Sequence, residues 1–443
     1  MRIQINGNAR SIIEMLETHG FVAFCVGGCV RVAVMGIEPH DWDLATNARP
    51  EQVMEIFSHV IPTGIQHGTV TIMIDGENFE VTTFRVDGFS TDGRHPDSVR
   101  FSMNILEDIS RRDFTFNAMF CDSDGVVQDE FGGIEDINNR IVRFIGNPDE
   151  RIQEDSLRMM RAIRFATRFD FGVANDSRLA IIRNADLINR VSAERIRDEI
   201  VKTIGNEFAE VGVRMWHETG LLAHIVPAVD ACFGVAQNNP HHIFDVGNHI
   251  AESVGSEFTH DANDIRISLA MFLHDIGKVS TKTTDDNGID HFIGHGEVSA
   301  QMARDIMHSL KFDNDTIETV HTLILHHNAQ IMPTGRSVRR WLNKVGKKNF
   351  EMLLNIRLAD ADAQNPMDFG ETMDEVNAIW EVFNRVIVSQ NAFTIKDLAI
   401  NGRDLIEIGV PQDRCMGIIL NALLDMVIEN PELNERNILY DIV

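Results

Sequence analysis

Residues 21–46 read FVAFCVGGCVRVAVMGIEPHDWDLAT, and this stretch decides the fold of the first part of the chain. An apolar run of β type ends at Gly27 and Gly28, a short helical pattern follows, and a second β-type run carries Asp41 and Asp43. Glycines between a strand and a helix let backbone N–H groups approach a phosphate. Two acids spaced two residues apart on a strand point to one face, and such a pair suits Mg²⁺ bound together with substrate phosphates. The stretch predicts a strand–helix–strand unit for a metal and a phosphate ligand; a tight turn with an incidental acid pair is the alternative.

The β-type signal continues on the C-terminal side of this stretch and then stops. Further apolar runs are TVTIMI (69–74), FEVTTFR (79–85) and NAMFCD (117–122), and helical patterns cover 8–19 and 50–58. Glu80 in the second run is a candidate third carboxylate, although we favour a solvent-facing acid there. From about residue 134 onward the segments are amphipathic and helical. We therefore expect an α+β protein with a small head domain followed by an all-helical remainder.

The charge of the chain is strongly acidic but unevenly distributed. Its 443 residues contain 40 Lys and Arg against 67 Asp and Glu, a formal net charge of −27, which argues against a protein that coats nucleic acid non-specifically. Residues 336–349 carry six basic side chains and no acid, so this segment could bind RNA phosphates despite the negative net charge of the chain. A solvated helix face is the alternative. The sequence shows no run of about 18 apolar residues and no signal-peptide pattern. Its five cysteines form no CxxC pair, and we expect a cytoplasmic protein without a membrane segment.

Arginines gather on one predicted helix. Residues 154–164 read EDSLRMMRAIR, and we predict one continuous amphipathic helix with an arginine stripe. On that helix Asp155 and Arg158 would be neighbours at i,i+3, offering acceptors and donors that could read the edge of a nucleobase; an ordinary surface salt bridge is the alternative. The stripe consists of Arg158, Arg161, Arg164 and Arg168, opposite Met159, Ala162, Ile163 and Ala166.

Upstream, Arg112 and Asp113 follow Arg111 and precede an apolar run. Two arginines beside an acid fit a phosphate clamp with an acceptor for a ribose hydroxyl. An exposed salt-bridge cluster is the alternative.

Histidines and aspartates form a second constellation in the helical half. Imidazole and carboxylate groups from separate helices suit a divalent metal that activates water for phosphoester hydrolysis. The residues concerned are His249, His274 and Asp275 in FLHDIGK, His295, His326, His327, and Asp360 in RLADADAQ.

Taken together, the motifs resemble those of the bacterial-type (class II) CCA tRNA nucleotidyltransferases and their poly(A) polymerase relatives. GGxVR and DxD are followed in order by HGTVT (67–71), RRDFTxNAM (111–119), EDxLRxxRAxRF (154–165) and ERIRDE (194–199). The resemblance implies a polymerase-β-like nucleotidyltransferase head over 1–133 and a helical, nucleotide-reading neck over 134–236. An HD-type helical domain over 237–370 and a helical tail over 371–443 would follow. One departure is Val32, where the family usually has Asp, and we expect it to alter local packing without removing the chemistry.

The resemblance also assigns roles to residues. Asp41 and Asp43 would hold two Mg²⁺ ions, and Gly28 and Arg31 would contact the triphosphate. Arg112 and Asp113 would contact phosphate and the ribose 2′-hydroxyl. Asp155 and Arg158 would pair with the incoming cytosine or adenine, steadied by Glu154, and Arg161 and Arg164 would add nucleotide contacts.

In the helical half, the H…HD…D pattern resembles the HD-domain metal phosphohydrolases. His249, His274, Asp275 and Asp360 match its four core positions, with Asp362 as the runner-up for the last. The resemblance implies a second divalent-metal site with phosphodiesterase or phosphatase activity on nucleotides or RNA ends.

The predicted function is the template-independent addition of CCA to the tRNA 3′ end from CTP and ATP. The chain lacks the basic GRRF-like stretch and basic extensions of poly(A) polymerases, and residues 89–101 resemble the intact flexible loop that C-adding enzymes shorten. Addition of A alone, or of poly(A), by the same family is the first alternative. The second is an HD phosphohydrolase whose head only binds RNA.

Overall fold

A computed structural model describes residues 1–87, 99–260, 264–389 and 391–443. Most of the predicted loop 89–101 lies outside the described residues, so the choice that depends on it stays a prediction. The described chain divides into two compact units, Met1–Pro227 and Ala228–Val443. None of the helices in the described ranges is long and apolar enough to cross a membrane.

The first unit combines a sheet with helices. Its strands are β1 Ala23–Val26, β2 Leu44–Thr46, β3 Val60–Gly64, β4 Thr69–Ile74, β5 Glu77–Thr83, β6 Arg85–Asp87, β7 Val99–Phe101, β8 Phe120–Cys121, β9 Val127–Gln128, β10 Ile141–Val142 and β11 Gly172–Val173. Its helices are α1 Gly7–Thr18, α2 Gly28–Val34, α3 Pro50–Ile56, α4 Ile105–Ser110, α5 Gly133–Asn138, α6 Pro148–Glu154, α7 Arg158–Phe169, α8 Asn175–Asn184, α9 Ala193–Ile204, α10 Ala209–Glu218 and α11 Leu222–Ile225; α12 Pro227–Asp230 spans the boundary. The predicted runs correspond to β1, β2, β4, β5 and β8, which confirms the α+β head.

Seven strands form one sheet in the order β3-β4-β5-β2-β1-β8-β9. The decisive stretch lies at its centre, because β1 pairs antiparallel with β2 in the register Phe24↔Ala45. On its other edge β2 runs parallel to β5, with Leu44 opposite Val81. This register places the residues before β2 beside Glu80 on β5. Leu44 and Val81 are buried, so the polar residues that alternate with them face outward.

Helix α7 follows the sheet and carries the arginine stripe. Met159, Ala162, Ile163 and Ala166 are fully buried, as the apolar side of the predicted helix requires. The predicted start of this helix is wrong, however, because α6 ends at Glu154 and Asp155 has extended backbone (φ −149°, ψ 104°). Asx-type hydrogen bonding explains the break, since the Asp155 carboxylate accepts from the backbone N–H of Leu157.

In its described residues the second unit is helical apart from a short hairpin of β12 Thr283–Thr284 and β13 Asp290–His291. Its helices are α13 Val246–Gly255, α14 Arg266–Leu273, α15 Lys278–Thr281, α16 His295–Ser309, α17 Asn314–Leu325, α18 Gly335–Val345, α19 Lys347–Asp362, α20 Pro366–Val388, α21 Gly402–Glu407, α22 Arg414–Glu429 and α23 Arg436–Ile442. Helix α14 is almost wholly buried, from Ile267 to Leu273, and it delivers His274 and Asp275 into the interior. Gly277 follows them, and a Cβ there would lie 2.7 Å from the His295 carbonyl oxygen, so only glycine allows α16 to approach this closely.

Candidate nucleotide-binding and metal-binding sites

A cavity of about 500 Å³ opens in the first unit between the Gly27–Gly28 turn and helix α7. Eight arginines and two aspartates are among the residues that line it, so basic side chains outnumber acidic ones in its lining. The lining residues are Gly27, Gly28, Arg31, Arg111, Arg112, Asp113, Asn117, Asp155, Leu157, Arg158, Arg161, Arg164, Phe165, Arg168 and Arg195. The structure thus brings together every nucleotide-binding residue predicted from the sequence except Glu154. Val32 is not among the lining residues.

Gly27 occupies a backbone conformation that favours glycine, with φ +74°. A Cβ at this position would also collide with Nη1 of Arg112. Gly27 therefore permits the turn and leaves room for the Arg112 guanidinium over it. Helix α2 begins at the next residue, so its free N–H groups face the same cavity.

Replacing Gly27 with alanine should weaken nucleotide binding by about tenfold or more. The added Cβ would strain the turn and displace the Arg112 guanidinium, and a charged hydrogen bond from Arg112 to phosphate would be lost. The KM for CTP and ATP measures this effect. Gly36→Ala is the matched control, since Gly36 also has a positive φ (+78°) but no atom lies within 4 Å of its Cβ position. Equal effects of the two variants on KM would contradict the role given to Gly27.

Arg31 is the buried cation at the base of the cavity. Its guanidinium lies over the rings of Phe165 and Phe169, at 5.0 and 5.1 Å from their centroids, and donates to Asn117. Burial, and then the positive charge of Arg168, lower the pKa of Arg31 to about 10. Its Nε is buried without a hydrogen-bond partner. A buried guanidinium that is repelled by its neighbours and incompletely paired is suited to an anionic ligand.

Asp113 is held in its ionised form by two neighbours. Arg161 donates to its Oδ2 from Nε and Nη2 at 2.9 and 2.6 Å, and Asn117 donates to Oδ1 at 2.8 Å. Burial by itself would raise the pKa of Asp113, but the charge of Arg161 and the bond from Asn117 lower it below its usual value. The carboxylate is therefore a fixed acceptor at the cavity wall.

The side chains of Asp155 and Arg158 line one cavity but do not pair with each other, although the backbone N–H of Arg158 donates to the Asp155 carbonyl at 3.0 Å. Arg195 on α9 donates to Asp155 Oδ2 at 2.7 Å. Arg158 donates to Glu154 Oε2 at 2.7 Å and to the Arg111 carbonyl at 2.9 Å. The predicted continuous helix through these two residues is wrong because α6 ends at Glu154 and α7 begins at Arg158, but both side chains line the same cavity. Arg195 lies in the motif ERIRDE (194–199), but its pairing with Asp155 is not predictable from local sequence because the two residues are 40 positions apart.

Arg164 forms a buried ion pair behind the cavity. Its Nε donates to Glu199 Oε2 at 2.6 Å, and the two side chains are only 9% and 4% exposed. Arg164 therefore forms a structural ion pair with Glu199 and also lines the cavity in which a nucleotide contact was predicted for it.

Removing Glu199 should destabilise the fold strongly, since it leaves the Arg164 charge buried and unpaired. We expect Glu199→Ala to lower the free energy of unfolding by about 3–5 kcal/mol. Urea denaturation measures it, and Glu194→Ala, an exposed acid on the same helix, is the control. If Glu199→Ala and Glu194→Ala lowered the free energy of unfolding equally, the Arg164–Glu199 pair would contribute nothing to stability.

Asp41 and Asp43 immediately precede β2 and are exposed, whereas Trp42 between them is buried. This alternation is compatible with both carboxylates lying on one face, although the two acids precede the strand on which they were predicted. The pKa of Asp43 is raised, first because the surrounding protein partly excludes water and then because Glu80 adds a like charge. Glu80 is solvent-facing, as predicted, and it also acts on Asp43 electrostatically. Clustered like charges of this kind fit a bound divalent cation, which would relieve their repulsion.

A second cavity of about 510 Å³ lies in the second unit, and Asp275 and Asp360 line it. His249 Nε2 lies 3.0 Å from Asp360 Oδ1 and 3.3 Å from His274 Nε2. Asp275 Oδ2 lies 3.4 and 3.2 Å from the Nε2 atoms of His249 and His274. The four predicted metal-ligating residues therefore converge from α13, the end of α14 and α19.

The surroundings of this cluster fit a cation. Asp275 is buried, its Oδ2 lies 2.7 Å from Lys278 Nζ, and its Oδ1 has no hydrogen-bond partner. Burial alone would raise the pKa of Asp360, but hydrogen bonds from His249 and His274 lower it well below its usual range. Asp362, the alternative to Asp360, accepts from Ser256 at 2.8 Å and is not in this cluster.

The basic segment 336–349 is largely engaged inside the second unit. Arg336 and Arg340 pair with Glu429, Arg339 is buried and donates to the Ile428 carbonyl, and Lys348 pairs with Asp264. These contacts favour a packing role for four of its six charges over the predicted contact with RNA phosphates.

Comparison with known proteins agrees with this arrangement. Residues 23–143 match the poly A polymerase head domain, residues 170–233 the probable RNA and SrmB-binding site of polymerase A, and residues 241–363 the HD domain. The chain therefore carries a head domain of the poly A polymerase type, a matching RNA-binding region and an HD domain. Nucleotidyltransferases of this type and HD-domain proteins depend on divalent metals, and the described residues of the second unit include groups that could hold a metal ion.

Among curated proteins, the chain is 43% identical over 213 residues to the CCA-adding enzyme of Limosilactobacillus reuteri, covering 48% of this chain and 53% of the relative. It is 45% identical over 217 residues to that of Geobacillus stearothermophilus, covering 49% and 54%. The chain thus spans about half the length of the curated relatives it matches. The structure resembles the Bacillus stearothermophilus CCA-adding enzyme in complex with CTP, with a TM-score of 0.75, 29% identity, and coverage of 97% of this chain and 94% of that one. The fold of the Thermotoga maritima enzyme complexed with tRNA is also similar, with a TM-score of 0.62, 17% identity, and coverage of 99% and 95%.

Proposed function

We propose that the protein adds CCA to the 3′ end of tRNA, using CTP and ATP and no nucleic-acid template. The observation that carries this proposal is the arginine-rich cavity, which Gly28, Arg31 and Arg112 line together with Asp155 and Arg158. We assign phosphate binding to the first three residues and base reading to the last two. Phosphate binding by guanidinium groups and helix N-terminal N–H groups positions a nucleotide, and side-chain donors and acceptors select its base.

The reaction follows from these positions. The terminal 3′-hydroxyl of the tRNA attacks the α-phosphate of the bound nucleotide in line, a P–O bond forms, and pyrophosphate leaves. Asp41 and Asp43 hold Mg²⁺, which supplies charge stabilisation to the attacking and leaving oxygens when it is bound. Arg31 and Arg112 hold the triphosphate, and Asp113 accepts a hydrogen bond from the ribose 2′-hydroxyl. The neck, residues 134–236, presents Asp155 and Arg158 to the base.

A nucleotide-addition assay tests this proposal. Purified protein is incubated with Mg²⁺, CTP and ATP and with two tRNAs, one ending before CCA and one ending in CC. Extension of the first by three nucleotides supports CCA addition. Extension of only the second, by one A, indicates A-addition, and a long A tail indicates poly(A) polymerase. Extension of neither contradicts the proposal.

The second unit carries a second candidate function, a divalent-metal phosphohydrolase. The convergence of His249, His274, Asp275 and Asp360 supports it, because imidazoles and carboxylates on one cation are typical of sites that activate water. In that reaction water adds to phosphorus, the ester oxygen leaves as an alcohol, and no electron transfer is needed.

Chelation should abolish hydrolysis of bis(p-nitrophenyl) phosphate, and added Mn²⁺ should restore it. His274→Ala should prevent this restoration while nucleotide addition in Mg²⁺ is unchanged. Hydrolysis that persists in His274→Ala would assign the activity elsewhere. Absence of hydrolysis in the unmodified protein would overturn the second function and leave the first intact.

A further inference from the structure

We propose that Arg168 binds the terminal phosphate of the incoming CTP or ATP, so that the cavity of the first unit prefers triphosphates to diphosphates. This inference rests on the proposed nucleotide addition, to which it adds a binding residue. Arg168 is the last arginine of the stripe on α7, and it lines the cavity together with Gly28 and Arg31.

The arginines along α7 follow the order of the parts of a nucleotide. Arg158, the first residue of the helix, is proposed to read the base, and Arg161 pairs with Asp113, the proposed acceptor for the ribose hydroxyl. Arg168 follows ten positions after Arg158, which is about 15 Å along the helix axis. A nucleotide whose base and ribose occupy the first two positions therefore extends its phosphates toward Arg168, with the terminal phosphate nearest to it.

Arg168 lies beside Arg31, at the phosphate-binding end of the cavity. Both guanidinium groups lie over the ring of Phe169, with centroid distances of 5.1 Å for Arg31 and 5.5 Å for Arg168. Burial first, and then the positive charge of Arg168, lower the pKa of Arg31. Two guanidinium groups that share one ring and repel each other are stabilised by an anion that both can reach.

Arg168 differs from the rest of the stripe in its lack of a carboxylate partner. Within the described ranges its guanidinium makes neither a hydrogen bond nor an ion pair, whereas the other three arginines of the stripe each pair with a carboxylate. Arg168 is exposed on the last turn of α7, where the helix dipole also favours a cation. The dipole accounts for a basic residue at the helix end, but a position in the cavity lining beside Arg31 points to an anionic ligand.

The terminal phosphate distinguishes a triphosphate from a diphosphate, and it leaves the enzyme as one half of pyrophosphate. A guanidinium that binds this group therefore favours CTP and ATP over CDP and ADP. The same contact strengthens the binding of the pyrophosphate product.

Equilibrium binding of CTP, CDP and CMP to the full chain in Mg²⁺, measured by titration calorimetry, tests this inference. In Arg168→Gln we expect the Kd for CTP to rise about tenfold, because a hydrogen bond between two charged groups is lost. The Kd values for CDP and CMP should stay unchanged. The inhibition constant of pyrophosphate in the addition assay should rise together with the Kd for CTP. Arg168→Lys, which keeps the charge, should give values between those of Arg168→Gln and the unmodified protein.

Arg183→Gln is the matched control, because Arg183 is an exposed arginine in the last turn of α8 and does not line the cavity. It should leave all three Kd values unchanged, and circular dichroism should show that every variant is folded. An equal rise for CTP and CDP in Arg168→Gln would overturn the assignment to the terminal phosphate. An unchanged Kd for CTP would overturn the role of Arg168 and leave the proposed function standing. Failure of the unmodified protein to bind CTP would contradict the proposed function, and this inference with it.

Discussion

Replacing Asp41 or Asp43 with asparagine should reduce the rate of nucleotide addition by about 10³-fold or more. The neutral amide keeps the shape of the side chain but loses the charge that holds a divalent cation. Several kcal/mol of transition-state stabilisation then disappear, at 1.36 kcal/mol for each tenfold in rate. Single-turnover addition of labelled CTP to a tRNA lacking CCA measures the effect.

The fold should survive both substitutions, because the two carboxylates are exposed and Trp42 between them provides the buried contact. Glu55→Gln is the control, since Glu55 is an exposed acid on α3 of the same unit. It should leave the rate unchanged and the thermal denaturation curve like that of the unmodified protein. Near-normal addition by Asp41→Asn would remove the metal role from this face of the sheet.

The second large effect is expected at Asp155 and Arg158, the pair proposed to read the base. Asp155→Ala and Arg158→Ala should each lower kcat/KM for CTP and ATP by about 10- to 100-fold, because one good side-chain pairing with a base contributes about 1–3 kcal/mol. Discrimination against UTP and GTP should fall as well, since the groups that reject the wrong bases are lost. Rates with all four nucleotides on the same tRNA measure both quantities.

Two features sharpen this test. In the structure Asp155 is hydrogen-bonded to Arg195, and Arg158 is hydrogen-bonded to Glu154. Each of the two side chains must therefore release its present partner to bind the base. Arg178→Ala on α8, an arginine outside the cavity, is the control for loss of positive charge. If both variants kept full preference for CTP and ATP over UTP and GTP, base selection would lie with other residues.

Local patterns predicted much of the candidate sites. The Gly-Gly turn, the alternation at Asp41 and Asp43, and the apolar face of α7 are short-range features, because strand and helix periodicity alone decide which side chains share a face. The helical prediction failed at Asp155, where a side-chain hydrogen bond to the backbone competes with the helix. Periodicity carries no signal for that competition.

The sequence by itself determined which chemistry the chain carries: paired acids, an arginine stripe, and a histidine–aspartate set at recognisable spacing. Only the tertiary structure decided the partners of these groups. Arg195 reaches Asp155 across 40 residues, Glu199 neutralises Arg164, and Asp275 meets His249. Contacts between distant segments depend on how whole helices pack, and buried charges accept only the partners that packing brings within reach. The sequence names the ligands, and the packing decides which of them meet.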